Sequence, residues 1–223
     1  MNPPAATSIG SQVITLMAAL MLVVQLLMIA QRMLLTNIRL FALQSLLLAG
    51  IAAVVAYHHN ASHVYVIAVL TIIGKVIFLP WLLNRLVHRI QIHEEIEPLL
   101  SPPTSMLICG GLTLVGYVVA RPFTSIEWLG NNTLAIALTL LLTGFFLMIN
   151  QRKALTQVLA LLTVENGVML AAVALTTYGM PLVVELGIFF DVMVAVMVLG
   201  ILVYRIRENF ASMDTSKLNQ LKG

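Results

Sequence analysis

Three ionisable residues, Lys75, Glu165 and Asp191, each lie near the middle of a different long apolar segment. A Lys or Asp at the centre of a membrane-spanning helix costs about 2.5–3.5 kcal/mol on insertion scales, so such residues usually face a protein interior or a water-filled path. Burial and neighbouring charges set the balance between the charged and neutral forms of a carboxylate, and this can allow proton exchange near neutral pH. These residues therefore indicate proton or ion handling inside a membrane.

The segments around these residues predict a polytopic, all-α membrane protein. The 223-residue chain is 60% apolar and only 9% charged, against about 25% charged residues in soluble domains, and its mean hydropathy is +1.00. A spanning helix needs about 20 apolar residues. Seven segments qualify: Ile9 to Ala30, Leu40 to Tyr57, Val64 to Leu83, Thr104 to Ala120, Asn132 to Asn150, Ala154 to Thr177 and Leu182 to Tyr204.

The second and fourth spans are the shortest, so either could be a tilted or re-entrant segment, and six helices is the main competing count. We expect one transmembrane domain over residues 1–223. Its parts are the first three helices with a surface loop (1–103), a fourth helix with an outer loop (104–131), the last three helices (132–210) and a tail (211–223). The loop over residues 84–103 carries mixed charges and interleaved Leu and Ile, which indicates a segment on the membrane surface.

The distribution of Lys and Arg predicts how the chain is oriented. Seven spans place ten cations of loops and tail on one face and only Arg121 on the other. Positively charged loops stay in the cytoplasm. We therefore expect a periplasmic N-terminus and a cytoplasmic C-terminus. Reporter fusions at Asn2 and Gly223 check this prediction, and fusions found on the same side would contradict it.

The depth of each charge follows from the helix rise of about 1.5 Å per residue. Lys75 lies ~16 Å from the outer end of its span, Glu165 ~16 Å from the inner end of its span, and Asp191 ~14 Å from the outer end of its span. Glu185 lies nearer the outer surface, turned by about 120° from Asp191 on a regular helix. A Lys and one carboxylate at equal depth could be a structural ion pair that fixes helix register. With two carboxylates and one lysine, the surplus acid needs a proton, water or a subunit partner.

Four runs of residues carry a resemblance to a known family: GKVIFLP around Lys75, LLTVENGVMLAAVAL around Glu165, VELGIFFDVMVAVMVLGILVYRI around Asp191, and the tail MDTSKLNQLKG. Over nearly its whole length the chain resembles hydrogenase-4 component E. Residues 132–207 resemble the small K subunit of respiratory complex I and the C subunit of multisubunit cation/proton antiporters. The two acids of that K subunit correspond to Glu165 and Asp191. The second is usually Glu there, so the carboxylate of Asp191 is one methylene shorter.

The resemblance implies a non-catalytic membrane subunit of a complex I-like hydrogenase in the cell inner membrane, contributing Glu165, Asp191, Lys75 and Glu185 to proton or sodium translocation. It also implies antiporter-like and peripheral hydrogenase subunits as partners, with nickel–iron and iron–sulfur centres in those partners. The sequence shows no catalytic, phosphate-binding or metal-binding motif, so we expect no catalysis and no cofactor in this chain. The lipid bilayer is the other expected partner, and nucleic acid is not. Two alternatives stay open: a structural anchor for the hydrogenase arm and a free-standing cation/proton transporter.

Overall fold

The computed structural model describes residues 9–59, 62–90, 98–123 and 132–175, together with Gly187 and Gly200. Apart from those two glycines, the seventh predicted span lies outside the described residues, and so do Glu185 and Asp191. The described residues contain helices and no named strand. Their helices are α1 (Ile9–Ala30), α2 (Leu34–His59), α3 (Ser62–Thr71), a π-helical segment (Ile72–Phe78), α4 (Leu79–Ile90), α5 (Pro102–Ala120), a 3-10 turn (Arg121–Phe123), α6 (Thr133–Asn150) and α7 (Ala154–Leu175).

These helices form six segments long and apolar enough to span a membrane. The third consists of α3, the π-helical segment and α4, which follow one another without a break. The all-α, multi-pass fold is thereby confirmed, and each of the first six predicted spans is present in order. The orientation of the termini stays a prediction. The α1–α2 end of the bundle is the end at which α1 ends and α2 begins.

Two predicted boundaries are wrong. The second span is not short, because α2 has 26 residues and begins at Leu34 instead of Leu40. The loop predicted from residue 84 does not begin there, because α4 continues to Ile90. Hydropathy underestimates both helices, since amphipathic turns near a membrane surface have low average hydropathy but still bury one apolar face. In α4 that face comprises Leu82, Leu83, Leu86 and Val87.

Three apolar cores are found among the described spans, and the two largest of them both include residues of α1, α2 and α7. The first core contains Met21 of α1, Leu48 of α2 and Met169 of α7, with residues from the adjoining turns. The second core lies toward the α1–α2 end and contains Met28, Phe41 and Leu162 of the same three helices. The helix segments between the two cores carry buried polar side chains, so a polar layer separates the cores.

Glycines bring α6 and α7 close together. A Cβ atom on Gly144 of α6 would lie 2.8 Å from Val164 Cγ2, and one on Gly167 of α7 would lie 2.9 Å from the backbone nitrogen of Leu141. Small residues allow this approach of helix backbones in membranes. Gly167 directly follows Glu165 and Asn166, so this contact also fixes the position of the polar side chains of α7.

Gly167→Val is therefore expected to push α6 and α7 apart and to destabilise the protein by about 1–3 kcal/mol, the usual cost of overpacking. Gly110→Val is the matched control, because a Cβ atom on Gly110 of α5 would meet no atom within 4 Å. Thermal stability of the two detergent-solubilised variants, measured by size-exclusion chromatography after heating, checks the prediction. Equal stability of both variants would contradict it.

Candidate functional site

The centre of the site is an ion pair between the third span and α7. Lys75 Nζ lies 2.8 Å from Glu165 Oε1, and the two side chains are only 2% and 4% exposed. The structure thus brings together the two charges that the sequence places at equal depth. A buried cation and carboxylate in contact offset part of each other's desolvation cost.

Lys75 lies within the π-helical segment, in which backbone N–H groups donate to carbonyl oxygens five residues earlier instead of four. Leu79 N–H donates to the carbonyl oxygen of Gly74, five residues earlier. Lys75 is buried there, whereas Ile73 and Ile77 on either side are 57% and 60% exposed. The segment therefore directs the lysine into the bundle while its apolar neighbours face outward. π-helical turns of this kind are frequent at functional sites.

Four amide and hydroxyl side chains extend the ion pair through hydrogen bonds toward α2 and α1. Lys75 Nζ donates to Asn166 Oδ1 over a long 3.5 Å. Asn166 Nδ2 donates to Gln44 Oε1 and to Ser45 Oγ, both at 3.1 Å. Gln44 Nε2 in turn donates to Gln25 Oε1 at 3.0 Å. The polar layer is defined here as these six connected residues: Gln25, Gln44, Ser45, Lys75, Glu165 and Asn166.

Every member of the polar layer is buried, and the four uncharged ones are 0% exposed. The two apolar cores enclose the layer on α1, α2 and α7. In such a low-dielectric environment hydrogen bonds are strong and polarise one another, and an unpaired polar group is costly. Hydrogen bonds through Asn166 and Gln44 therefore connect Lys75 to Gln25 on α1.

Sequence reasoning missed the uncharged members of the layer because it considered charges alone. The available signal was the presence of amides inside apolar spans. Gln44 lies about 15 Å into α2 and Glu165 about 17 Å into α7, both counted from the α1–α2 end. The other two predicted site residues, Glu185 and Asp191, lie outside the described residues.

No metal site is found within the described residues, since no three His, Cys, Asp or Glu side chains there are grouped to hold a metal ion. Cys109, the single cysteine of the chain, is buried in α5. Near the α1–α2 end, the guanidinium of Arg85 lies 5.3 Å from the ring centroid of the exposed Trp81. Such an arrangement suits a membrane interface, where amphipathic side chains keep a polar part in water.

Comparison with known proteins finds relatives that match the chain over most of its length. No family model and no solved structure matches the chain. An uncharacterized protein of Mycobacterium tuberculosis is 33% identical over 187 residues, which are 83% of this chain and 84% of that protein. Hydrogenase-4 component E of Escherichia coli K12 is 27% identical over 215 residues, which are 96% of this chain and 99% of that protein. The chain is similar to hydrogenase-4 component E over nearly its whole length.

The similarity to hydrogenase-4 component E covers the polar layer and all six described spans, because it extends over 96% of the chain. The component E of Shigella flexneri matches with the same identity and coverage. The resemblance suggested by the runs around Lys75 and Glu165 is therefore confirmed.

Proposed function

We propose that this chain is a non-catalytic subunit of a membrane-bound hydrogenase complex in the inner membrane. Within that complex it couples a redox reaction to proton translocation through its polar layer, with sodium as the alternative ion. The name of its relatives, hydrogenase-4 component E, supports membership in such a complex. The six spanning helices support its place in the membrane arm.

One observation supports the coupling role above all: the Lys75–Glu165 ion pair at 2.8 Å, buried between two apolar cores of a membrane bundle. Ionisable residues at such positions are costly and often mark ion or proton pathways. In the proposed mechanism Glu165 carries the proton or the coupling charge, and Lys75 biases its protonation. The nickel–iron and iron–sulfur centres belong to peripheral partner subunits, and antiporter-like subunits lie beside this chain.

A structural anchor is the second candidate, in which the ion pair only holds helices of this chain together. A 2.8 Å contact can hold the third span against α7 without any change of protonation. Removal of one partner from a buried ion pair is destabilising, whereas replacement of both partners is often tolerated. The two functions therefore differ in one respect: an anchor regains full activity when both charges are removed together, and a coupling site does not.

Asp191 is proposed to act with Glu165 as the second acid. Its position lies outside the described residues, but Gly187 supports a neighbouring location. Gly187 is buried, and a Cβ atom on it would lie 2.9 Å from Met169 Sδ of α7. Asp191 follows Gly187 by four residues, and Glu165 precedes Met169 by four. On two packed antiparallel helices, the step from Gly187 to Asp191 and the step from Met169 to Glu165 lead in the same direction along the bundle. Each step covers about 6 Å.

Asp191→Asn is accordingly expected to reduce redox-driven proton translocation at least about tenfold while leaving assembly intact, because the amide keeps the shape and removes the titrating charge. Asp191→Glu is the control and should be tolerated, since a carboxylate remains. Proton uptake by inside-out membrane vesicles measures both variants. Undiminished translocation in the Asn variant would remove Asp191 from the pathway.

Membership in the complex is tested by mass spectrometry of the native assembly after detergent extraction. We expect this chain to co-purify with subunits that carry nickel–iron and iron–sulfur centres and with antiporter-like membrane subunits. A stable oligomer of this chain alone would contradict the proposal and favour the free-standing cation/proton transporter.

A further inference from the structure

The polar layer extends toward the α1–α2 end of the bundle. Counted from that end along each helix, Glu165 lies about 17 Å deep, Gln44 about 15 Å, Gln25 about 8 Å and Asn37 about 5 Å. Asn37 of α2 is only 2% exposed, and its Nδ2 donates to the carbonyl oxygen of Met28 on α1 at 3.1 Å. Gln25 and Asn37 therefore both place an amide in the interface between α1 and α2.

These two amides each have one unsatisfied atom. Among the described residues, neither Gln25 Nε2, a donor, nor Asn37 Oδ1, an acceptor, has a hydrogen-bond partner, although both are buried. Gln25 and Met28 are three residues apart on α1, which places them on one face about 5–6 Å apart at their Cβ atoms. Asn37 contacts the backbone of that same Met28. A donor and an acceptor left in one polar interface are the usual partners of a buried water.

We propose that water reaches the polar layer from the α1–α2 end and binds to Gln25 Nε2 and to Asn37 Oδ1 along the way. The inference rests on the proposed function for its purpose, which is to connect the Lys75–Glu165 pair to the aqueous phase on one face. Water accepts a hydrogen bond from Gln25 Nε2 and donates one to Asn37 Oδ1, so each unsatisfied atom gains a partner. Gln44 and Asn166 then link that water to Lys75 by the hydrogen bonds described above.

Cysteine accessibility in the intact complex tests this route. Cys109 is first replaced by Ala, and Gln25→Cys, Asn37→Cys and Met21→Cys are then made one at a time. Met21 is the matched control, because it is as buried as Gln25 but lies one helical turn further from the α1–α2 end, in the first apolar core. A small, charged, membrane-impermeant thiol reagent is applied to inside-out and to right-side-out vesicles.

We expect Gln25→Cys and Asn37→Cys to react from one face only, and at least about tenfold faster than Met21→Cys. By the predicted orientation this face is the cytoplasmic one, which the reagent reaches in inside-out vesicles. The proposal would be overturned if Gln25→Cys reacted no faster than Met21→Cys. It would also be overturned if Gln25→Cys and Asn37→Cys were labelled from opposite faces of the membrane. If Asn37→Cys prevents assembly, the comparison of Gln25→Cys with Met21→Cys still shows whether water reaches Gln25.

A second pair of variants separates this route from the ion pair itself. Asn37→Leu fills the water position with an apolar group and should slow proton translocation about tenfold, whereas Asn37→Ser leaves space and a polar atom and should preserve most of the rate. Equal rates in these two variants would count against the route. Loss of translocation in variants of Lys75 and Glu165, combined with unreactive Gln25→Cys, would retain the proposed function and reject the route alone.

Discussion

Lys75→Met is expected to abolish redox-driven proton translocation while the chain still inserts into the membrane. The substitution keeps a flexible apolar stem and removes the only cation that contacts Glu165 among the described residues. The loss of one partner from a buried ion pair leaves the remaining carboxylate buried without its countercharge. We therefore expect an acid that no longer gains and loses its proton during turnover.

Proton uptake by inside-out vesicles, normalised to the amount of this chain in the membrane, measures that loss. Lys153→Met is the control, because Lys153 lies just before α7 at the α1–α2 end and is only partly buried. The control should translocate protons at the wild-type rate. Normal translocation in Lys75→Met would exclude the cation from the coupling mechanism.

Glu165→Gln is expected to give the second large effect, a reduction of proton translocation by about two orders of magnitude, the scale of losing one proton-transferring group. Glutamine has nearly the same shape and can still accept a hydrogen bond from Lys75, so the packing of α7 between the two cores should persist. The variant cannot take up a proton at this position.

Glu165→Asp provides the control for this variant. The carboxylate remains but is one methylene shorter, so the 2.8 Å contact with Lys75 Nζ lengthens. We expect intermediate translocation in Glu165→Asp and clearly lower translocation in Glu165→Gln. If both variants translocate protons equally well, the carboxylate has no role in proton transfer.

The depth of Lys75 and Glu165 could be predicted from sequence, but their contact could not. Depth depends only on the helix rise and on where each span begins, and both are visible in the hydropathy pattern. Contact depends on how each helix is rotated and which helices are neighbours. Those features are set by close packing, such as that of Gly144 and Gly167 between α6 and α7, which no single segment reveals.

The buried amides and the end of α4 likewise depend on contacts between helices, which the sequence alone does not reveal. Gln25, Gln44 and Asn166 carry no charge, so they do not interrupt an apolar segment strongly enough to attract attention, and their roles appear only when three helices meet. Residues 84–90 read as a charged loop because their apolar side chains alternate with Arg and His. Packing of Leu86 and Val87 on the second core decides that they form a helix.

The most direct test of the coupling role of the ion pair is proton translocation by the Lys75→Met, Glu165→Gln double variant. With no charge left unpaired in the polar layer, this variant should assemble to the wild-type level, better than Lys75→Met alone. If the ion pair couples the redox reaction to proton movement, the assembled double variant keeps its oxidoreductase activity but takes up no protons into inside-out vesicles. Wild-type proton uptake per electron in this variant would contradict the account and leave the ion pair a structural contact between the third span and α7.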